Sequence, residues 1–239
     1  MSNGWAASAD AWISSQGDAG DFARRHVADA PMLERVRRRR WRRALDVGCG
    51  EGRFCRMLAA KGVAVVGADP TEPLIARARE LDPEGEYRVE PAERLSFDDG
   101  AFDLVIAYLS LIDIAELEAA IAEMVRVLEP GGVLLIANLN GFNTAGDVND
   151  LGWVRLEDGR QAFALDRYLE TRVGWIEWRG IRIQNWHRPL SVYMRLMLDQ
   201  GLVLTHFDEP SPHSGDPARV ARYMRAPWLV LMEWTKPGP

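Results

Sequence analysis

Short apolar runs alternate with amphipathic segments between residues 43 and 137. Ala44-Leu45-Asp46-Val47 is a brief apolar stretch that runs into glycines, and Phe54, Met57 and Leu58 follow at helical spacing. Residues 63–68 form a β-branched run without polar alternation, as expected of a strand buried on both faces. Leu74, Ile75, Ala78 and Leu81 then share one helix face, and Tyr87-Arg88-Val89 is a weaker strand. Residues 102–107 and 133–137 are two further buried strands. Between them Leu117, Ala120, Ile121, Met124, Val125 and Leu128 follow the i, i+3, i+4, i+7 rule. That spacing predicts a helix over 115–129, stopped by Pro130-Gly131-Gly132. Repeated strand–helix units with buried strands predict a parallel sheet with helices on both faces.

The flanks read differently. Residues 1–40 are polar and helical in character. Residues 141–188 are mixed and rich in Trp, Arg and Gly. Pro189 opens a helix with Leu190, Tyr193, Met194 and Met197 on one face and Gly201 at its end. Residues 202–207 and 228–234 are strands, separated by a loop over 210–217. The expected division is an N-terminal helical cover (1–40), a ligand-binding core (41–140), an insertion (141–188) and the C-terminal part of the core sheet (189–239). Ligands of such sheets sit at the carboxyl ends of the strands, where strand order reverses. Residues 48–52, 69, 91–93 and 108–113 therefore draw the search for function.

Composition narrows the class. The 239 residues are 47% hydrophobic and 27% charged, enough for one α/β domain with an elaboration. A net charge of −6 and an isoelectric point near 5.3 disfavour a nucleic-acid partner. The one basic block, Arg37 to Arg40 with Arg42 and Arg43, fits either a solvated helix end or a phosphate-facing patch. Cys49 and Cys55 fit no zinc spacing, so no metal is expected and both thiols are expected to be reduced in a cytoplasmic protein. No apolar run approaches the length of a membrane span, and residues 1–5 lack a signal pattern.

The glycine loop carries the chemistry. Leu45-Asp46-Val47-Gly48-Cys49-Gly50-Glu51-Gly52 places glycines where a strand meets a helix, so that backbone N–H groups can approach a ligand. A dinucleotide fingerprint would need a third glycine where Arg53 stands. Taken alone, the loop is compatible with a cofactor site or a tight turn. Residues 43–137 as a whole resemble the class I S-adenosylmethionine-dependent methyltransferases, in the branch acting on small molecules. The resemblance rests on the glycine loop, on Val66-Gly67-Ala68-Asp69, on Ala92 to Phe97, on Phe102-Asp103-Leu104-Val105 and on Arg126 to Leu134.

That resemblance implies a Rossmann-like, seven-stranded, mostly parallel sheet with helices on both faces and an antiparallel last strand, with the insertion following the fifth strand. It implies S-adenosylmethionine as cofactor and methyl transfer to a small-molecule acceptor. Asp46, Gly48, Cys49, Gly50 and Gly52 would hold its amino-acid end, and Asp69 its ribose hydroxyls. Pro70, Ala92 and Glu93 would lie by the adenine, where many relatives carry Asp at the position of Pro91; Glu90 is the alternative to Glu93. Tyr108, after the fourth strand, would line the transfer site. Among the histidines, His187 is the candidate general base, ahead of His26, His206 and His213. Arg24 or Arg25 would reach in from the cover. Trp153, Trp175, Trp178 and Trp186 would form an aromatic acceptor pocket or the small core of the insertion. An RNA or protein methyltransferase, or a cofactor-binding protein without activity, remain the alternatives.

Overall fold

The computed structural model describes residues 3–17, 19–146 and 152–238. Within the predicted insertion, residues 147–151 lie outside the described residues. The chain opens with α1 (Trp5–Gln16) and a π-helical turn (Arg24–Ala28) that continues into α2 (Asp29–Arg37). The expected alternation follows: β1 (Ala44–Val47), α3 (Arg53–Ala59), β2 (Val65–Asp69), α4 (Glu72–Leu81), β3 (Glu86–Val89), β4 (Phe102–Tyr108), α5 (Leu117–Val127) and β5 (Leu128–Leu139). Beyond it come α6 (Gly141–Ala145), β6 (Trp153–Arg155), β7 (Gln161–Phe163), β8 (Arg172–Trp178) and β9 (Ile181–His187). The chain closes with α7 (Leu190–Asp199), β10 (Val203–Asp208), α8 (Pro217–Tyr223) and β11 (Leu229–Thr235).

Seven strands form one sheet in the order β10-β11-β5-β4-β1-β2-β3. The β1–β2, β1–β4, β2–β3 and β4–β5 pairs are parallel, and β11 runs antiparallel to both of its neighbours. The absence of alternation in the central strands has a direct cause. Leu45, Val47, Val105, Leu134 and Ile136 pack on one face under α5 and α7, against Ile121, Met124, Tyr193 and Met197. Ala44, Leu104, Ile106 and Leu135 pack on the other face under α2 and α3, against Met32, Leu33, Phe54 and Leu58. Strand order reverses between β1 and β4, which opens a crevice at their carboxyl ends.

One boundary departs from the expectation. The helix predicted to reach 129 ends at Val127, and Leu128 is already extended (ψ 129°) and paired with Phe102. The Lys236 ammonium takes up the carbonyls of Val125 and Leu128 at 2.8 and 2.6 Å. A residue from the far end of the chain thereby caps the helix before Pro130 is reached.

The mixed region resolves into two antiparallel hairpins, β6–β7 and β8–β9. The β8–β9 turn is two residues, Arg179 and Gly180, both with positive φ (48° and 80°). That is the turn whose twist matches paired strands. Ser8 of α1 exchanges hydrogen bonds with the Arg182 backbone of β9 at 3.1 and 3.0 Å, and the Gln184 N–H donates to the Asn3 carbonyl at 2.9 Å. The N-terminal helix is thus docked on the hairpin. Four of the six arginines of the basic block have partners within the molecule: Arg38 pairs with Glu34, Arg39 donates to the Gly131 carbonyl, Arg42 pairs with Glu129 and Arg43 with Glu86. Arg37 and Arg40 are exposed at the end of α2.

Candidate active site

A cavity of about 430 Å³ opens over the carboxyl ends of β1, β2 and β4, within the size range of small-molecule sites. Its floor is the glycine loop. Gly48 has φ +76°, and a Cβ there would come within 2.3 Å of the Ser110 Cβ, so the close approach of loop and β4 requires glycine. Gly50 has φ +56°, and a Cβ there would meet nothing within 4 Å. The Gly48 and Cys49 N–H groups both donate to the Ala68 carbonyl, at 2.7 and 3.1 Å, which ties the loop to β2.

Asp69 ends β2. Its Oδ2 accepts from the Gly50 N–H at 3.0 Å and its Oδ1 from the Thr71 N–H at 2.8 Å. Burial raises its pKa against these hydrogen bonds. Asp46 is buried on β1; its Oδ2 accepts from the Cys55 thiol at 3.4 Å and its Oδ1 has no partner among the described residues. Burial pushes the Asp46 carboxyl up to about 7, opposed by the Cys55 hydrogen bond and reinforced by the Asp69 charge. A buried carboxylate oxygen without a donor, on a residue that lines a cavity, is an opening for a ligand donor.

The remaining walls come from distant segments. The π-helical turn and α2 clamp onto the loop: Asp29 takes both guanidinium nitrogens of Arg53, at 3.0 and 2.5 Å, and the Tyr108 hydroxyl at 2.7 Å. Arg53 also donates to the Ala19 carbonyl at 2.7 Å. The residue that breaks the dinucleotide spacing is therefore the fastener of the N-terminal segment. After β4 the chain turns through Leu109, a non-glycine residue with φ +59°, and carries Ile112, Asp113 and Ile114 into the cavity wall. Opposite stand Trp5, Trp12, Ile176, Trp178, Ile183 and Asn185.

Of the residues expected at the site, Asp46, Gly48, Cys49, Gly50, Asp69, Pro70 and Tyr108 line this cavity. Gly52, Ala92, Glu93 and His187 do not. Gly52 caps α3, and its Cα faces the Tyr87 ring behind the loop. Ala92 is packed into the core with Leu95 and Phe97. The alternative to Glu93, Glu90, accepts from the Ser96 hydroxyl and N–H. Thr71 and Leu74 wall that side instead.

His187, expected as the general base, is not part of the cavity lining. Its Nε2 faces the Tyr168 carbonyl at 2.8 Å, which can only accept, so Nε2 carries the proton; its Nδ1 meets the Thr144 hydroxyl at 2.8 Å. Both nitrogens are committed, and burial lowers the pKa of the ring. None of the four histidines lines the cavity. Tyr108 does line it, but its hydroxyl donates to Asp29 and its pKa is raised by burial and by that carboxylate. Arg24 reaches the cavity, paired with Asp21 at 2.6 Å and stacked 4.8 Å from the Trp12 ring, whereas Arg25 is exposed.

The tryptophan expectation also changes. The β8–β9 register puts Trp178 on the cavity face with Ile176 and Ile183, and Trp175 and Trp186 on the other face. Trp153 packs on Phe163 at 5.1 Å. The aromatic wall is instead assembled from Trp5, Trp12, Trp178 and Trp228. Asp113, Asn185 and the two N-terminal tryptophans were not singled out by motif, since their proximity is created by contacts between segments far apart in the chain.

The model of the methyltransferase domain matches residues 45–136. The malonyl-[acyl-carrier protein] O-methyltransferase of Salmonella typhimurium is 31% identical over 205 residues, which are 82% of this chain and 78% of that protein. The chain belongs to the class I S-adenosylmethionine-dependent methyltransferase family. The corresponding Serratia marcescens enzyme is 29% identical over 69% of this chain. The match spans 65% of that relative's length, and about 40% of the ubiquinone biosynthesis O-methyltransferases that the chain also resembles. A methyltransferase structure from Mesorhizobium loti superposes with a TM-score of 0.76 at 23% identity, covering 92% of this chain and all of that one, which shows the shared fold.

The site fits the family's cofactor on its own chemistry. S-Adenosylmethionine carries an ammonium, a ribose diol and a sulfonium. The unpartnered Asp46 oxygen suits a cationic donor. Asp69, fixed by two backbone N–H groups, retains lone pairs for hydroxyl donors. The open backbone at Gly50 leaves room for close approach.

Proposed function

We propose that this methyltransferase uses S-adenosylmethionine to methylate a small-molecule acceptor. One observation carries the proposal: a single cavity joins the glycine loop, Asp46 and Asp69 to a compartment walled by Trp5, Trp12, Ile176 and Trp178. The relatives' names specify O-methylation of a malonyl-acyl-carrier protein and in ubiquinone biosynthesis; from them we carry over methyl transfer to a compact acceptor group.

When bound, S-adenosylmethionine would supply an electrophilic methyl group on its sulfonium, the acceptor–methyl bond forming as the methyl–sulfur bond breaks and S-adenosylhomocysteine leaves. Asp69 would take the ribose hydroxyls, Asp46 the ammonium, and the Gly48–Cys49–Gly50 backbone the amino-acid end. Pro70, Thr71 and Leu74 receive the adenine, replacing the expected Ala92 and Glu93. Tyr108 acts as a wall, held by Asp29. The N-terminal helix and the β8–β9 hairpin shut out water and hold the acceptor in line, which is where much of the rate of such a displacement arises. The unpaired, buried Cys49 and Cys55 support a cytoplasmic location.

Titration calorimetry with S-adenosylhomocysteine tests the assignment. Wild type should bind, and Asp69→Ala should weaken binding by roughly tenfold to a hundredfold, since it removes two hydrogen bonds to a charged acceptor. No binding by wild type, or unchanged affinity in a folded Asp69→Ala, refutes it.

A further inference from the structure

The acceptor side of the cavity holds a carboxyl that the reading above leaves unused. Asp113 lies on the segment leaving β4, and its carboxyl accepts from the Asn185 side-chain amide and the Trp5 indole N–H. The segment beneath it is strapped down. The Trp186 N–H donates to the Ile112 carbonyl at 2.8 Å. The Arg188 guanidinium binds the carbonyls of Leu111, Ile114 and Ala115 at 3.3, 2.7 and 3.0 Å. The carboxyl is therefore held in place rather than adaptable.

Its surroundings are apolar and aromatic. Trp5 and Trp12 meet edge to face at 5.1 Å, and Ile176, Trp178 and Ile183 complete the wall. Among the described residues no Lys, Arg or His nitrogen lies within 4.0 Å of the Asp113 carboxylate. The cation nearest in effect is Arg24, already committed to Asp21 and Trp12; Asp69 faces Asp113 from the cofactor side as a like charge. Burial holds the carboxyl well above its usual range, against the hydrogen bond from Asn185. A buried carboxylate without a cation is costly, and a neutral ligand would leave it so. An ammonium would compensate it, and aromatic faces beside a carboxylate favour such a cation further.

We propose that Asp113 is the recognition group for an amine-bearing acceptor, whose ammonium meets the Asp113 carboxylate and whose apolar body lies against Trp5, Trp12, Ile176 and Trp178. The proposal rests on this compartment being the acceptor site of the methyltransferase.

The test uses 2-phenylethylamine, phenyltrimethylammonium and the neutral 2-phenylethanol as probes, titrated into the full chain with S-adenosylhomocysteine present and read by ligand-observed NMR. Wild type should favour both cations over the alcohol by about tenfold. In Asp113→Asn the preference should fall to within about twofold, with the alcohol unaffected. In wild type it should also fade as pH is lowered and the carboxyl is protonated, a readout that survives if the variant does not fold. Equal binding of cations and alcohol, binding of none of them, or a preference that persists in Asp113→Asn overturns the proposal. Calorimetry with S-adenosylhomocysteine alone separates the two readings. Its binding without a cation preference sinks only the Asp113 inference. A preference lost in Asp113→Asn, without S-adenosylhomocysteine binding, sinks the cofactor reading and with it the acceptor role, leaving Asp113 as a cation site alone.

Discussion

Arg188→Met isolates the strap that holds the cavity wall after β4. Arg188 is 4% exposed, and its guanidinium serves three main-chain carbonyls on the segment after β4. It also stacks 4.6 Å from the Trp186 ring. Methionine keeps the stem but removes every donor, so three carbonyls lose their partner. Hydrogen bonds to a charged group contribute ~1.5–3 kcal/mol each, and desolvation of the buried guanidinium offsets part of the sum. A net loss of ~2–4 kcal/mol follows. For a domain of this size each kcal/mol lowers Tm by roughly 2–4 °C, so thermal unfolding should shift down by roughly 5–15 °C. Arg188→Lys should recover only part of this, because an ammonium on a flexible stem cannot span three carbonyls as a planar fork does. A Tm for Arg188→Met within about 1 °C of wild type would refute the claim that this residue anchors the 111–115 segment.

Two further outcomes follow from the site. Because Asp46 is raised from 3.8 to about 7, it favours the folded state below its unfolded pKa, and that contribution is lost as pH rises through about 7. Ligand-free Asp46→Asn should therefore gain thermal stability relative to wild type as pH rises from about 4 to about 8, while its affinity for S-adenosylhomocysteine falls; parallel Tm–pH curves would contradict this. His187→Ala should cost ~1–3 kcal/mol in urea unfolding, by stripping the Thr144 hydroxyl and Tyr168 carbonyl of their partner. Its affinity for S-adenosylhomocysteine should stay within about twofold of wild type, and a larger loss would return His187 to the site.

The glycine-loop side of the cavity was legible because its residues are local in sequence. The glycine loop follows β1 directly and Asp69 ends β2, so strand ends alone place them together, whereas the expected Ala92 and Glu93 do not line the cavity. The opposite wall was not legible. Asp113 and Asn185 are 72 positions apart and share no motif. His187, two residues beyond Asn185 and on the same face of β9, looked like the base because of its neighbours in the chain, but it ends the strand outside the cavity lining, where Thr144 and the Tyr168 carbonyl take its ring nitrogens. The β8–β9 hairpin did carry a signal in the alternation from Val173 to Trp186 around Arg179-Gly180, obscured by the density of Trp and Arg.

The sequence by itself determined the doubly covered sheet, since strands buried on both faces must be continuously apolar. It also marked the turn at Gly48, since glycine directly after an apolar strand allows the positive φ found there; that Ser110 then leaves no room for a side chain belongs to the tertiary structure. Only the tertiary structure decided how the cavity is closed. Arg53 reaches Asp29, Ser8 docks on Arg182, and β9 sets Asn185 against Asp113, because these contacts depend on how separate elements pack and not on any local pattern.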